Sequence, residues 1–90
     1  MIKKRERLEI IYDILVLINN NHNQIKPTPL LRKSNLSSSQ FDKYVQELLE
    51  KKIIEFSIID SKKYYKLTKK GFEYINKYKL ILKIIEDFDL

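Results

Sequence analysis

The sequence predicts a mostly helical α+β fold, and three observations carry that reading. Apolar residues recur at three-four spacing in the first twenty residues, in the middle of the chain and again in its last twenty. A single stretch, Ile53 to Ile59, is instead β-branched and aromatic, and the turn residues Asp60-Ser61-Lys62 follow it. Residues that cap helices stand directly before the helical patterns. At 90 residues there is room for one core, so every element must share it.

The elements follow in order. From Glu6 to Ile18, the spacing of Leu8, Ile11, Tyr12, Ile14, Leu15 and Ile18 predicts an amphipathic helix. The run Asn19-Asn20-Asn21-His22-Asn23 ends it, because asparagine competes for backbone hydrogen bonds and tolerates left-handed conformations. Ile25 is placed in a strand of one or two residues. Thr28 before Pro29 predicts a short second helix, Pro29 to Ser34, with Thr28 as its cap and Asn35 as a left-handed terminator. Ser37-Ser38-Ser39-Gln40 has the spacing of a capping box, so a third helix starts there and runs to Lys51, burying Phe41, Tyr44, Val45, Leu48 and Leu49. A β-hairpin of Ile53–Ile59 and Lys63–Leu67 follows. Thr68 then caps a last helix, Lys69 to Phe88, with Gly71 in the first turn, where its cost to a helix is smallest.

Helix, helix, turn, helix, hairpin, helix is the order of a winged helix-turn-helix. Four segments carry a closer likeness: Lys4-Arg5 with Arg7-Leu8-Glu9-Ile10-Ile11-Tyr12-Asp13-Ile14-Leu15; Asn35-Leu36-Ser37; Leu48-Leu49-Glu50-Lys51-Lys52-Ile53-Ile54; and Tyr65, Leu67, Thr68 and Gly71. Matched in that order, they resemble the small archaeal winged helix-turn-helix DNA-binding proteins, both transcriptional regulators and small basic chromatin-type proteins. The family often has glycine where this chain has Lys52. The resemblance implies DNA binding and an antiparallel dimer formed by the last helix. It divides the chain into a DNA-binding part, residues 1–72, and a continuous dimerisation helix, residues 69–90.

Composition narrows the partners independently. Eighteen Lys and Arg against twelve Asp and Glu give a net charge of +6, which favours a polyanion such as nucleic acid or an anionic membrane surface. No apolar run approaches the roughly 18 residues of a membrane span, and the basic start Met1-Ile2-Lys3-Lys4-Arg5 leads into an acid-bearing amphipathic pattern rather than a signal peptide. The expected location is cytoplasmic, on the nucleoid. With no cysteine and one histidine, thiolate metal sites and disulfides are excluded, and no metal or cofactor is expected. His22 reads as an exposed loop residue. The sequence has no nucleophile elbow, phosphate-binding glycine loop or HExxH motif, so the chain is not expected to be an enzyme.

The third helix is the candidate recognition element. Ser38, Ser39, Gln40, Lys43 and Gln46 lie outward near its start, where hydroxyls and amides suit base edges and phosphates, and Asp42 lies among them with an open role. Ser37 is a cap, and Gln40 is either a cap or a reader. Lys62, Lys63, Lys66, Lys69 and Lys70 form an acid-free stretch that suits a wing gripping phosphate, the bland alternative being a solubilising edge strand. Arg32 and Lys33, and Lys3, Lys4 and Arg5, are further backbone candidates. Phe41, Tyr44, Phe56 and Phe72 fall on core faces, and one of Tyr64 and Tyr65 is exposed.

The last helix has more apolar surface than one small domain can hide. Phe72 and Ile75 are placed against the first helix. The series Tyr74, Tyr78, Ile81, Ile85, Phe88, with Leu82 beside it, alternates spacings of four and three as a coiled-coil seam between subunits does. The partners expected are therefore double-stranded DNA and a second copy of the chain, with no membrane and no small-molecule effector. A winged-helix protein-interaction module is the alternative from another class.

Overall fold

Helix α1, Lys3–Asn20, turns Ile11, Ile14, Leu15 and Ile18 inward on one stripe, and all four are buried. The computed structural model describes residues 3–90, with side chains from Glu6 onward. Around that stripe stand α2 (Pro27–Ser34), α3 (Ser38–Glu50), the hairpin β1 (Ile54–Ile59) and β2 (Lys62–Leu67), and α4 (Lys69–Asp87). Each gives to one core: Leu30 from α2; Phe41, Val45 and Leu48 from α3; Ile54, Tyr65 and Leu67 from the hairpin; Ile75 from α4. Among the described residues no charged or polar side chain is buried.

The second helix starts earlier than its sequence suggests. Lys26 is extended at φ −73°, ψ 154°, and has no side-chain cap, and the first helical bond runs from Leu30 N to Lys26 O at 3.2 Å. Pro27 and Pro29 both fall within the first turn, whose N–H groups have no intrahelical acceptor, so neither proline costs a bond. Thr28 is inside that turn and not before it, which corrects its expected role as cap. Asn35 closes the helix at φ 63°, as expected of asparagine in the left-handed region.

Two caps follow the sequence closely. Gln40 N donates to Ser37 Oγ at 3.2 Å and Ser37 N donates to Gln40 Oε1 at 3.4 Å, the reciprocal pair of a capping box. At the far end of α3, Ile53 N reaches Leu48 O at 2.9 Å and Lys52 N reaches Leu49 O at 3.1 Å. This is a Schellman motif with Lys52 at φ 59°, so a lysine occupies the left-handed position that glycine favours. The bond to Leu48 uses the Ile53 amide, and β1 therefore begins at Ile54.

The hairpin pairs Ile54 with Leu67 through to Ile59 with Lys62, leaving only Asp60 and Ser61 in the turn. Both have positive φ, 52° and 65°, the conformation that matches strand twist in a two-residue connection. Ile25 adds a short third rung by exchanging hydrogen bonds with Tyr65 at 3.1 and 2.8 Å. The Leu67 amide donates to Asn23 Oδ1 at 2.8 Å, so the Asn-rich loop holds the outer side of β2. Tyr65 is buried and Tyr64 only partly so. Phe56, expected in the core, is half exposed, because it lies on β1, the outer strand, while its partner Tyr65 on β2 is the one held against Ile25 and the core.

Thr68 caps α4 by accepting from Gly71 N at 3.3 Å. The inward stripe of α4 is Gly71, Ile75 and Tyr78, spaced four and three apart, and Phe72 lies off it, exposed to 39 %. Tyr78 is buried with its ring 4.6 Å from that of Tyr12, and the Tyr74 hydroxyl donates to Leu8 O at 2.7 Å. Burial first, and then Tyr78 beside it, push the Tyr74 phenol up to about 12 against the opposing influence of Arg7. Both tyrosines of the expected intersubunit seam thus already pack against α1 of the same chain. Past Tyr78 most apolar side chains of the helix are exposed among the described residues, although Ile81 still lines a hollow with Leu8.

Gly71 is needed for a reason its helix position does not reveal. A Cβ there would lie 2.5 Å from the Ile53 carbonyl oxygen, which is backbone and cannot rotate away. In an exposed helix Gly→Ala gains about 1 kcal/mol; here Gly71→Ala should instead destabilise by roughly 1–3 kcal/mol, as overpacking does. Thermal unfolding followed by circular dichroism should show a lower Tm, and a raised Tm would refute the close packing of α4 on this carbonyl.

Candidate nucleic-acid interface

With Phe41, Val45 and Leu48 in the core, the residues of α3 opposite them are Ser39, Lys43, Gln46 and Glu50, at spacings of four, three and four. All four are exposed, as are Ser38, Gln40 and Asp42 on the flanks. The two glutamines have local partners. Gln40 Oε1 is held in the capping box and also accepts from Ser37 Oγ at 3.3 Å, while Gln46 Nε2 donates to Glu50 Oε2 at 3.5 Å. The Asp42 carboxylate is felt by Tyr65, whose phenol is pushed up mainly by burial and further by that negative charge.

One flank of α3 carries a charge cluster that sequence reading missed. Glu47 is bonded by Arg7 from α1 and by Lys51 at 2.8 Å, and the Arg7 guanidinium also lies 5.8 Å from the centre of the Tyr44 ring. Arg7, Lys43, Gln40, Tyr44 and Glu47 line a hollow of about 310 Å³. The spacing of Glu47 and Lys51 is a helical i, i+4 pair legible in any sequence. Arg7 is forty residues away, and nothing local announces it.

The wing lysines separate into groups. Lys62 and Lys66 share one face of β2 and Lys63 the other. Lys66 faces Glu55 across the hairpin at 3.8 Å, so the stretch read as acid-free meets an acid from the neighbouring strand. The Lys63 ammonium sits 4.5 Å from the centre of the Phe56 ring. Lys69 and Lys70 turn to a separate hollow floored by Leu49 and Phe56, and Lys70 Nζ donates to Lys51 O at 2.9 Å.

What the structure brings together instead is Lys26, Lys62 and Lys63, around a hollow of about 330 Å³ whose other lining is Pro27, Thr28 and Pro29. Lys26 lies 5.9 Å from the centre of the Tyr64 ring, carried there by the pairing of Ile25 with Tyr65. Arg32 and Lys33 are exposed in the last turn of α2, where they also favour the negative end of the helix dipole. The side chains of Lys3, Lys4 and Arg5 lie outside the described residues. His22 is exposed at φ 62°. Among the described residues no three potential metal ligands cluster, and no helix is long and apolar enough to cross a membrane.

The two bonds that Glu47 accepts, from Lys51 and then Arg7, hold its carboxyl below the usual glutamate range. A carboxylate whose folded value is depressed stabilises the fold above its unfolded value, and that contribution is lost as pH falls through the folded value. Carbon-detected NMR titration should therefore place the Glu47 midpoint below that of the other glutamates, and Arg7→Ala should move it up. A midpoint unmoved by that change would show that Arg7 does not hold Glu47 in solution.

Comparison by sequence with curated proteins finds no match. Among solved structures, the DNA-binding protein Sso10a-2 from Sulfolobus solfataricus superposes with a TM-score of 0.71 at 22 % identity, over 90 % of this chain and 82 % of that one. F93 from STIV, a winged-helix DNA-binding protein, also superposes with a TM-score of 0.71, at 19 % identity over 80 % of this chain and 85 % of that one. At such identities the likeness is one of fold. The winged helix-turn-helix family model matches residues 4–86, and with α2, α3 and the hairpin arranged as described, the chain belongs to the winged helix-turn-helix family.

Proposed function

We propose that this protein binds double-stranded DNA as a homodimer, with α3 in the major groove and the wing against the flanking backbone. The observation that carries the reading is the gathering of Lys26, Lys62 and Lys63 from two separate elements around one hollow. Ammonium groups repel one another, and such a cluster is favourable where a polyanion releases its counterions on binding. The outward stripe of α3 supports it, since Ser39 and Lys43 are exposed and suited to phosphate and base edges. The two superposed structures named above are each described as DNA-binding proteins. Nothing in the site offers a nucleophile with a base or a metal cluster, and the reading is a non-enzymatic one. It places the protein in the cytoplasm, on the nucleoid.

Within this reading a transcriptional regulator and an architectural protein differ in one quantity, the ratio of specific to non-specific affinity. Selection from a random duplex pool measures it, strong enrichment marking a regulator and flat recovery a coating protein. The binding itself is tested by salt. If a dimer neutralises six to ten phosphates, affinity should fall by roughly 10³–10⁵ between about 50 and 200 mM salt, and replacing Lys26, Lys62 or Lys63 by Ala should lower the salt slope by about one each. Charge reversal at Lys62 and Lys63 should abolish binding. Binding that ignores salt, or survives that reversal, would favour a surface that docks another protein.

The second copy is supported by the far half of α4. Leu80, Ile81, Leu82, Ile84 and Phe88 are 40–70 % exposed, more apolar surface than a helix end facing water carries without a partner. Each such side chain withdrawn from water contributes at most roughly 1.5–3 kcal/mol, and the two protomers supply it in duplicate against an association cost of about 4–15 kcal/mol. The seam therefore rests on Ile81, Leu82, Ile85 and Phe88, beyond the two tyrosines that α1 already covers. Ile81→Asp with Ile85→Asp should give monomers in sedimentation that melt as folded domains. A dimer unchanged by both charges would place the interface elsewhere.

A further inference from the structure

We propose that the base of the wing is a seat for an acidic segment of the second copy: Phe88 and Leu90 of one protomer pack on Leu49 and Phe56 of the other, while Glu86 and Asp89 meet Lys52, Lys69 and Lys70. The proposal rests on the homodimer reading above. The seat is a hollow of about 590 Å³ where the end of α3, the start of β1 and the start of α4 meet, floored by Leu49, Ile54 and Phe56 and rimmed by the three lysines. Phe56 is half exposed there. Glu55, the one acid on the rim, faces Lys66 at 3.8 Å. The hollow is therefore apolar below and cationic around, with its own acid already paired.

A duplex does not suit this hollow. Phosphate gains nothing from an aromatic floor, and Leu49 stands at the opposite end of α3 from Ser38 and Ser39. The occupant must be apolar at its centre and anionic at its edge. The segment Glu86-Asp87-Phe88-Asp89-Leu90 has that chemistry, with three acids and no base, and its Phe88 and Leu90 are 70 % and 78 % exposed. Asp87 is answered within its own helix by Lys83 at 3.6 Å. Glu86 and Asp89 have no such ion pair among the described residues, which leaves them for the partner.

Helix α4 sets the reach. A protomer cannot fill its own seat, because its acidic segment stands at the far end of a 19-residue helix, about 28 Å from the start. The first half of α4 carries Lys69, Lys70, Lys77 and Lys79 against Glu73, and residues 84–90 carry acids alone. Two copies side by side therefore repel when parallel and attract when antiparallel. In full antiparallel overlap the end of one helix lies beside the start of the other, where Lys69 and Lys70 line the seat. The surface between is already grooved. One hollow lies between Leu8 and Ile81 and a second between Ile53 and Lys70; the two share Tyr74 and Lys77, and Lys70 joins the second to the seat. A track thus runs along α4 from its exposed apolar half to the base of the wing, and each protomer braces the outer strand of its partner's hairpin.

Isotope-filtered NMR on a mixture of labelled and unlabelled copies reads contacts between protomers alone. Overhauser effects from the Phe56 ring to the Leu90 methyls should cross the dimer. Glu86→Lys with Asp89→Lys should remove them and raise the dimer dissociation constant roughly tenfold or more at low salt, since each contact is made twice per dimer. Lys52→Glu with Lys69→Glu should do the same, and all four substitutions together should restore both the contact and the affinity. A dimer in sedimentation that lacks these effects, or charge reversals that the combined variant does not repair, would overturn the seat and leave the dimer standing. A wild type that sediments as a monomer would instead overturn the homodimer reading on which it rests.

Discussion

The orientation of the wing relative to α3 depends on one junction, where three successive carbonyls past the end of α3 are all taken up by the start of α4. Lys51 O accepts from Lys70 Nζ, Lys52 O from Thr68 Oγ at 2.6 Å, and Ile53 O from Thr68 N at 3.1 Å. The last carbonyls of a helix have no intrahelical donor, and here the following helix supplies donors to the segment that leaves it. Gly71 completes the junction by letting α4 lie against the Ile53 carbonyl. Since β1 leaves from Ile54 and β2 returns to Leu67, both ends of the hairpin are fixed at this one place. A two-stranded ribbon has little stability alone, so its direction is inherited from this contact.

Short-range chemistry made much of this legible. Ser37 with Gln40, Asn35, and Thr68 in its capping bond from Gly71 act through neighbours within four residues, and each caps or ends its helix as its sequence context suggests. Failures came where a residue answers to something distant. Pro27 could start α2 because Ile25 was held by Tyr65, forty residues on in the chain. Gly71 reads as a tolerated glycine until the Ile53 carbonyl is placed beneath it. Phe56 and Phe72 have the right residue type for a core, and period alone does not say where an element runs out of neighbours. The wing lysines look like one patch in a linear string, but the two-residue period of a strand divides them and Glu55 answers Lys66 from across the ladder.

Helix α4 serves two environments, and Tyr78 marks the change. Up to that residue its stripe is closed by α1, through the Tyr12 ring and through the Tyr74 hydroxyl on Leu8 O. Beyond it the helix continues for nine residues, where Ile81 still lines a hollow with Leu8 but most apolar side chains are exposed among the described residues. A seam pattern running from Tyr74 to Phe88 cannot distinguish burial within a chain from burial between chains, because both demand the same three-four spacing. Only the place where the domain ends decides which residues are left over.

The face of α3 also bears on how recognition would be divided. Gln40 is tied into a cap and Gln46 to Glu50, so either amide must exchange an existing bond for one to a base, which lowers the net gain per contact. Glu47 would oppose a phosphate backbone if bare, but Arg7 and Lys51 neutralise it. Lys43, Lys62 and Lys63 have no acid paired to them among the described residues, and they can neutralise phosphate without first breaking an ion pair. In the proposed complex, electrostatic contact would therefore be the low-cost part and direct base reading the costly part. On the proposed reading, discrimination among sequences would then fall largely on the shape and deformability of the duplex.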